Sequence, residues 1–260
     1  SVTVAEIHQF IGILYLKGVL LHKNTPILQL WSKQWGLKCI TSVMSRKRFL
    51  EIMRYMRFDQ RSTRSHRLKT DKFALVNDIF EPFRVNLTKC YNPHESVTID
   101  EQLFPCKARC PFTQYIAQKP DKFGIKFWLA ADVKSKYLLN AYPYTGKDSS
   151  RPAQIQLGEH VTLQLMTPYM NCGLNVTTDS FFTSLSLANK LLAKRTTLVG
   201  TLRQNRREIP ENIKDFKNKA VALYSSTIMQ EQTSKITITA YKAKATKSVF
   251  LLSSVHKKDI

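Results

Sequence analysis

The sequence predicts a mixed α/β fold, in which a sheet is preceded by an all-helical region and followed by a small β-rich unit. Three observations predict this class. Apolar residues recur at helical spacing up to about residue 95, strands with a period of two alternate with helices from there to about residue 203, and short strands alone follow. We therefore predict three regions: residues 1–95, residues 96–203 and residues 204–260.

The first region contains three predicted helices. Thr3 and Glu6 have the spacing of a capping box at the start of the first helix, and a second helix is predicted to begin near Ser45. We interpret residues 57–71, "RFDQRSTRSHRLKTD", as an exposed loop because they are polar and strongly basic. A third helix follows and is expected to be perturbed or restarted at Pro82.

The sheet is predicted from segments in which buried and polar positions alternate. The first strand begins at residue 96, where Val97 and Ile99 alternate with polar residues and the strand is predicted to end on Asp100. Further strands are predicted at residues 123–132, 136–144, 173–179 and 196–202. Helices are predicted around residues 159–166 and 183–194. In the β-rich unit the strand candidates are residues 221–226, 234–242 and 248–255.

The charge of the chain favours a polyanionic partner. Its 40 Lys and Arg outnumber 19 Asp and Glu, which gives a formal net charge of +21. Such self-repulsion is commonly offset by nucleic acid. The most apolar stretch, residues 10–21, is interrupted by Lys17 and is shorter than the ~20 residues that a membrane span requires, so we expect no membrane partner. The five cysteines are an odd number, which is typical of reduced intracellular thiols.

Two aspartates are predicted to share one edge of the sheet. Asp100 ends the first predicted strand and Asp179 ends the fourth, and the two side chains converge if these strands are neighbours. Paired carboxylates in a basic cleft suit Mg²⁺, which prefers hard oxygen ligands and accepts phosphate beside them. An Asp after a strand is also common as a turn former or a helix N-cap, and that alternative remains open for Asp179.

The sequence segments around both aspartates resemble those of one protein family. "VTIDEQLFPCKARCPFTQYIAQKPDKFGIKFWLAADVKSKYLLNAYPYTGK", "VTTDSFFTSLSLANKLL" and "TLVGTLRQNRREIPE" follow one another in the order seen in piggyBac-type DNA transposases. The N-terminal "EIHQFIGILYLKGV" and the late "ITAYKAKATKSVFLLSSV" fit as well, so the resemblance covers essentially the whole chain.

The resemblance implies a fold, an activity and partners. It implies an RNase H-like core interrupted by the β-rich insertion, and metal-dependent DNA cleavage and strand transfer with Mg²⁺ or Mn²⁺ as the cofactor. By motif match, Asp100 is the first catalytic and metal-binding aspartate and Asp179 the second. It further implies double-stranded DNA at transposon ends as substrate, TTAA as target, a homodimer and a nuclear location.

One part of the family pattern is not found. The third acidic position of the family lies beyond its Leu-Leu-Ser-Ser strand in a Gly-Gly-Val-Asp segment, and here only Asp259 follows, in a different context. The Cys-rich, zinc-binding tail of the family is not found either. We therefore expect the chain to be a fragment of a transposase, and the alternative is a catalytically inactive, transposase-derived DNA-binding protein.

The basic residues divide into three groups of predicted DNA contacts. The groups are Arg203, Arg206 and Arg207 after the fifth strand, Lys119, Lys122 and Lys126 around the second, and Arg46 and Arg48 in the helical region. Glu101 is expected to point to the opposite face of its strand from Asp100 and to be structural. A two-carboxylate glycosidase is a weaker hypothesis, because sugar sites depend on aromatic platforms rather than on a strongly cationic surface.

Overall fold

The computed structural model of the chain describes residues 1–22, 24–147, 151–217 and 221–256, so Asp259 lies outside the described residues. The chain forms two compact units. One comprises residues 1–70 and 74–76, and the other comprises residues 71–73 and the chain from Asn77 onward. The boundaries predicted at residues 95 and 203 rest on changes in the secondary-structure pattern of the sequence, and they stay predictions.

The elements of the described chain follow in sequence order. The helices are α1 (Val4–Val19), α2 (Ile27–Leu30), α3 (Lys38–Thr41), α4 (Arg46–Tyr55), α5 (Arg61–Thr70), α6 (Ala74–Cys90), α7 (Leu157–Met166), α8 (Leu185–Leu192) and α9 (Glu211–Lys214). Short 3₁₀ helices occur at Thr167–Tyr169 and Asp215–Lys217. The strands are β1 (Ser96–Pro105), β2 (Gln114–Tyr115), β3 (Phe123–Asp132), β4 (Leu138–Pro143), β5 (Asn175–Thr178), β6 (Thr197–Leu202), β7 (Ser226–Gln230), β8 (Thr237–Lys244) and β9 (Lys247–Ser253).

The helical unit is built on two amphipathic helices. The predicted capping box is present, since the Glu6 amide donates to the Thr3 hydroxyl at 3.2 Å and the Thr3 amide donates to the Glu6 carboxylate at 2.9 Å. Helix α4 begins at Arg46, close to the predicted start near Ser45, and Ser45 is its N-cap. Phe10 of α1 and Phe49 of α4 pack with ring centroids 4.9 Å apart in a small buried cluster. Helical periodicity therefore predicted both helices correctly.

Two expectations for the segment before the sheet were wrong. The polar residues predicted as a loop form α5, in which no residue is buried. The Asp59 carboxylate, just before α5, accepts a hydrogen bond from Arg64 in the first turn of the helix at 2.7 Å. The spacing of apolar residues cannot predict a polar contact of this kind. Helix α6 runs without a break through Pro82. Its polar and apolar residues keep one helical pattern on both sides of the proline.

The sheet has a central strand with one antiparallel and one parallel neighbour. Strand β1 pairs antiparallel with β3 and parallel with β5, and β5 pairs parallel with β6. Strands β2 and β4 both pair with β3. The predicted mixed sheet is confirmed in the described chain. Asp100 was predicted to end the first strand, but β1 continues to Pro105; it is the parallel pairing with β5 that stops at Ile99.

The β-rich segment extends this sheet. Strand β9 pairs with β6, β8 with β9 and β7 with β8, all antiparallel. The predicted strand at residues 221–226 was wrong, because β7 begins at Ser226. The core consists of apolar sheet residues together with the buried faces of α7 and α8, including Val97, Ile99, Leu165 and Leu187. In the described part of the chain no helix has both the length and the apolar character of a membrane span.

Candidate active site

Asp100 lies on the exposed side of β1, immediately after its last pair with β5. Its neighbour Ile99 is buried, since only 1% of its surface is accessible, whereas Asp100 itself is exposed. Asp100 pairs with Leu129 of β3, and its Oδ1 accepts a hydrogen bond from the Glu101 amide at 2.8 Å. The strand therefore holds this backbone rigidly while it presents the carboxylate to solvent.

Asp179 lies in the turn that follows β5. Its Oδ1 accepts a hydrogen bond from the Phe181 amide at 2.9 Å, so Asp179 does form part of a turn. It does not cap α8, because Ser184 does so by accepting the Leu187 amide at 3.1 Å. The N-cap alternative for Asp179 is therefore wrong, and the side chain remains exposed.

The parallel register brings these two aspartates together. The last pair of the β1–β5 ladder is Ile99 with Thr178, and Asp100 and Asp179 are the next residues on the two strands. Strands that are paired lie about 4.8 Å apart, so the two carboxylates emerge side by side. The residues share an edge although they are distant in sequence, as the strand pattern predicted.

Two glycines allow the turn after Asp179 to pack closely. A Cβ at Gly200 of β6 would lie 2.2 Å from Thr183 Oγ1, and one at Gly158 of α7 would lie 2.6 Å from the Phe181 carbonyl oxygen. The Thr183 hydroxyl also donates to the Asp179 carbonyl at 2.7 Å. The turn is therefore held between α7 and β6, and any side chain at either glycine would displace it.

A second group of charges lies beside the aspartates. Glu101 pairs with the buried Trp128, and Lys119 Nζ lies 3.8 Å from its carboxylate. Burial and repulsion by Asp100 raise the pKa of Glu101; Lys119 and Lys126 oppose this increase, and Asp179 adds to it. Glu101 is thus electrostatically coupled to both aspartates.

Lys126 lies in an aromatic environment on the same face as Glu101. Its Nζ is 3.9 Å from the ring centroid of Trp128 and 4.8 Å from that of Tyr144. Burial lowers the pKa of Lys126, and the nearby Glu101 carboxylate partly offsets the decrease. Two of the three predicted lysines, Lys119 and Lys126, therefore lie close to Glu101, the residue that follows Asp100.

The three predicted arginines line one groove of about 520 Å³. Arg203 lies over the ring of Phe181, with its guanidinium carbon 5.7 Å from the centroid. Arg206 donates to the Gln156 side chain at 2.5 Å and to the Thr183 carbonyl at 3.1 Å, which ties the groove to the turn after Asp179. Arg207 is exposed, and Glu208 is an acidic residue of the same lining.

The remaining predicted DNA contacts are Lys122, before β3, and two arginines of the helical unit. Lys122 is exposed in the turn before β3, where its carbonyl accepts the Ile116 amide at 2.9 Å. Arg46 and Arg48 belong to the helical unit. Arg48 already binds the Glu6 carboxylate at 2.7 Å and Glu51 at 3.4 Å, which weakens the argument for a phosphate contact at that residue.

The aromatic residues of the site were missed by sequence reasoning. Phe181 stacks on Trp128 with centroids 5.5 Å apart and an interplanar angle of 13°. In the sequence, Trp128 falls within the predicted strand at residues 123–132 and Phe181 just before the predicted helix at residues 183–194, and no pattern links the two. The available signal was the pair Phe181–Phe182, which begins two residues after Asp179 in a turn that would normally be polar.

The donor set fits a hard divalent cation to a limited extent. Two exposed carboxylates side by side match the one or two that Mg²⁺ takes from a protein when phosphate and water complete its shell. Within the described residues, no group of three or more His, Cys, Asp or Glu side chains is arranged to hold a metal ion. A site here would therefore depend on substrate oxygens.

Comparison with known proteins connects this arrangement to one group. The chain matches the family model described as Transposase IS4 over residues 1–260. It is 25% identical over 213 residues to the human PiggyBac transposable element-derived protein 3, covering 79% of this chain and 35% of that protein.

A solved structure is similar over the whole chain. It is a cryo-EM structure of a piggyBac transposase synaptic complex with hairpin DNA, at a TM-score of 0.91 and 35% sequence identity, covering 100% of this chain and 54% of the other. The chain thus spans about a third of the human relative and about half of the solved chain. The predicted RNase H-like fold is confirmed by this likeness.

Proposed function

The chain belongs to the Transposase IS4 family and is of the piggyBac type, and from that premise we propose that its sheet carries part of the catalytic site for metal-dependent DNA cleavage and strand transfer. The supporting observation is the register of β1 and β5, which puts Asp100 and Asp179 side by side at an exposed edge. A basic groove next to that edge supports DNA as the substrate.

Asp100 and Asp179 would hold Mg²⁺ or Mn²⁺ in this proposal. Such an ion supplies activation of the attacking group and neutralisation of charge on the phosphodiester. The protein contributes two carboxylates whose backbones are fixed, one by the β1–β3 ladder and the other by the turn between α7 and β6. The fixed spacing of these oxygens is what aligns substrate phosphate with the ion.

The basic residues would hold the DNA backbone around this point. Arg203 and Arg207 are exposed at the mouth of the groove, and Arg206 is oriented by its bonds to Gln156 and Thr183. Lys119 reduces the negative charge of Glu101 beside the aspartates. Contacts of this kind bind duplex DNA irrespective of sequence and become weaker as salt increases.

The partners and location follow as further parts of the proposal. The similar solved structure is named as a synaptic complex with hairpin DNA. We infer double-stranded transposon ends as substrate, a TTAA target, a homodimer and a nuclear location for the protein that contains this chain. The alternative of an inactive DNA-binding descendant makes a different prediction in the same experiment.

The test is divalent-cation-dependent nicking of duplex DNA that carries the element's ends, using the longest natural product of the gene. Asp100→Ala and Asp179→Ala are compared with Asp78→Ala, which removes an exposed carboxylate from α6. The proposal expects nicking by the parent and the Asp78 variant and none by the other two. Salt-sensitive binding without nicking by the parent would instead favour the inactive descendant.

A further inference from the structure

The groove beside Asp179 has the composition of a nucleotide site rather than of a plain phosphate contact. Its lining combines an aromatic face, Phe181, with cationic and amide side chains and one carboxylate; the polar members are Gln156, Arg203, Asn205, Arg206, Arg207 and Glu208. A volume of about 520 Å³ lies within the usual range for small-molecule sites and is large enough for a nucleotide. Backbone phosphates alone require only charge, so the aromatic and amide groups need another explanation.

The aromatic platform is rigid and only partly covered. Phe181 is partly exposed, whereas Trp128, which stacks on it, is buried with 3% of its surface accessible. Phe182 packs edge-on against Phe181 with centroids 5.0 Å apart, and its own exposure is 1%. Trp128 and Phe182 thus hold the ring of Phe181 in place. A planar group that stacks on this ring therefore loses little free energy to ordering of the Phe181 side chain.

The Arg203 guanidinium over the Phe181 ring is placed where a base could stack between the two. The guanidinium carbon of Arg203 lies 5.7 Å from the Phe181 centroid, near the outer limit of about 6 Å for a cation–π contact. Arg203 is exposed, so its side chain is able to move aside or to stack on the other face of an inserted base. Arginine planes and aromatic rings are the surfaces on which single-stranded nucleic acid stacks.

The remaining polar groups of the groove suit the phosphate and the base edge of a nucleotide. Arg206 is held by Gln156 and by the Thr183 carbonyl, and its buried Nε has no hydrogen-bond partner among the described residues. Arg207 is exposed beside it and is placed to meet a phosphate. Asn205 is an exposed amide in the same lining and offers both a donor and an acceptor to a base edge.

We propose that this groove binds one unpaired DNA nucleotide next to the cleavage position, with its base stacked on Phe181 and its phosphate at Arg206 and Arg207. The proposal rests on the proposed function, because it takes DNA to be the substrate of the neighbouring aspartates. It adds that the bound DNA is unpaired at this point. A duplex base pair cannot present a base face to the ring without unstacking, which costs least where the strand is already single.

The test measures how strongly the full chain binds two DNA ligands of equal charge. One is a duplex with a four-nucleotide thymidine extension, and the other is the same duplex with four abasic units in that extension. The parent is expected to bind the first about tenfold more tightly, because a stacked base contributes by that order. Phe181→Leu, which keeps an apolar side chain and removes the aromatic plane, is expected to abolish the difference, and Phe181→Tyr to retain it.

The matched control is Phe123→Leu, the same change at an exposed ring outside the groove lining. Phe123→Leu is expected to bind both ligands as the parent does. The thermal unfolding of every variant is first compared with that of the parent. Equal affinity of the parent for the two ligands, with binding to the blunt duplex intact, would overturn the nucleotide site and leave the proposed function standing. Absence of binding to any duplex would overturn both.

A 2-aminopurine base in the extension gives an independent readout. Its fluorescence is expected to fall on binding to the parent and to Phe181→Tyr, because stacking on an aromatic ring quenches it. The same quenching with Phe181→Leu would contradict the assignment of Phe181 as the platform.

Discussion

Two regions of the sheet carry aspartates on strands or directly after them, and the aspartates of the two regions are used in opposite ways. Asp132, the last residue of β3, pairs with Val97 near the start of β1, and none of its surface is accessible. Its carboxylate accepts the His94 amide at 2.7 Å and the Ser135 amide at 2.6 Å. Asp100, three residues further along β1 than Val97, is exposed and accepts one backbone hydrogen bond, as does Asp179.

Burial and hydrogen bonding within the protein distinguish the structural carboxylate of Asp132 from the exposed carboxylates of Asp100 and Asp179. Burial alone would raise the pKa of Asp132, but its hydrogen bonds from Ser135 and His94 outweigh burial and hold the pKa well below its usual range. The oxygens of Asp132 are thus used within the protein. Those of Asp100 and Asp179 are directed to solvent, where a cation and a phosphate have access.

The largest effect on stability is expected from Asp132. Asp132→Ala removes a buried carboxylate and leaves the part-buried amides of His94 and Ser135 without their acceptor, a loss that generally exceeds the value of the hydrogen bonds themselves. Thermal unfolding should show a decrease in Tm of several degrees, larger than that of Asp100→Ala or Asp179→Ala. A greater decrease for Asp100→Ala would reverse the comparison.

The next largest effect is expected at Gly158, which packs against the turn after Asp179. Gly158→Ala puts a methyl group within 2.6 Å of the Phe181 carbonyl oxygen and within 2.8 Å of the Phe182 Cα, so the backbone has to shift. Overpacking of this kind costs about 1–3 kcal/mol. We expect reduced stability together with weaker DNA binding in the groove. Gly173→Ala is a useful contrast, because its strain comes from a φ of +74° and not from crowding.

The salt dependence of DNA binding should differ between charge-removing variants beside Asp179 and charge-removing variants beside Asp132. The double variant Arg203→Gln/Arg207→Gln removes two exposed charges beside Asp179, and Lys134→Gln/Lys136→Gln removes two from the turn after Asp132. The slope of log K against log salt should decrease in magnitude by about 0.9 per lost phosphate contact, hence by about 2 in the first variant. An equal decrease in the second would mean diffuse attraction with no preferred groove.

A smaller effect is expected in the helical unit, where a carboxylate is paired at the surface. The Arg48 guanidinium, with help from the Thr3 amide, lowers the pKa of Glu6 from 4.5 to about 2. Because the folded-state pKa is the lower one, the stabilisation is complete above pH 4.5 and is lost as pH falls from there toward 2. Acid titration of the parent and Glu6→Gln, followed by circular dichroism, should show curves that converge in this interval. Curves that stay parallel through it would exclude a contribution from Glu6.

Much of the fold could be predicted from the sequence because its signals are local. The capping box at Thr3, the cap at Ser45 and the alternation of Val97 and Ile99 each depend on neighbouring residues. Helix α5 was missed because it buries no residue and therefore has no apolar stripe. The end of β1 was misplaced because Asp100 interrupts only its pairing with β5, and pairing is a property of two strands.

The candidate site could be predicted only in part for the same reason. Asp100 and Asp179 were identified because each was predicted to end a recognisable strand. The role of Asp132 was not, although it also ends a strand, because the burial and the hydrogen bonds that decide its role come from the chain around His94 and Ser135. The stacking of Phe181 on Trp128 joins residues that no local pattern connects.

The most direct test of the account is Mn²⁺ binding by the protein, measured by electron paramagnetic resonance in the presence of DNA. We predict that Asp100→Asn and Asp179→Asn each weaken Mn²⁺ binding at least tenfold, whereas Asp78→Asn, at an exposed position on α6, binds Mn²⁺ as the parent does. Undiminished Mn²⁺ binding by both Asp100→Asn and Asp179→Asn would contradict it, because these adjacent carboxylates would then not be the ligands.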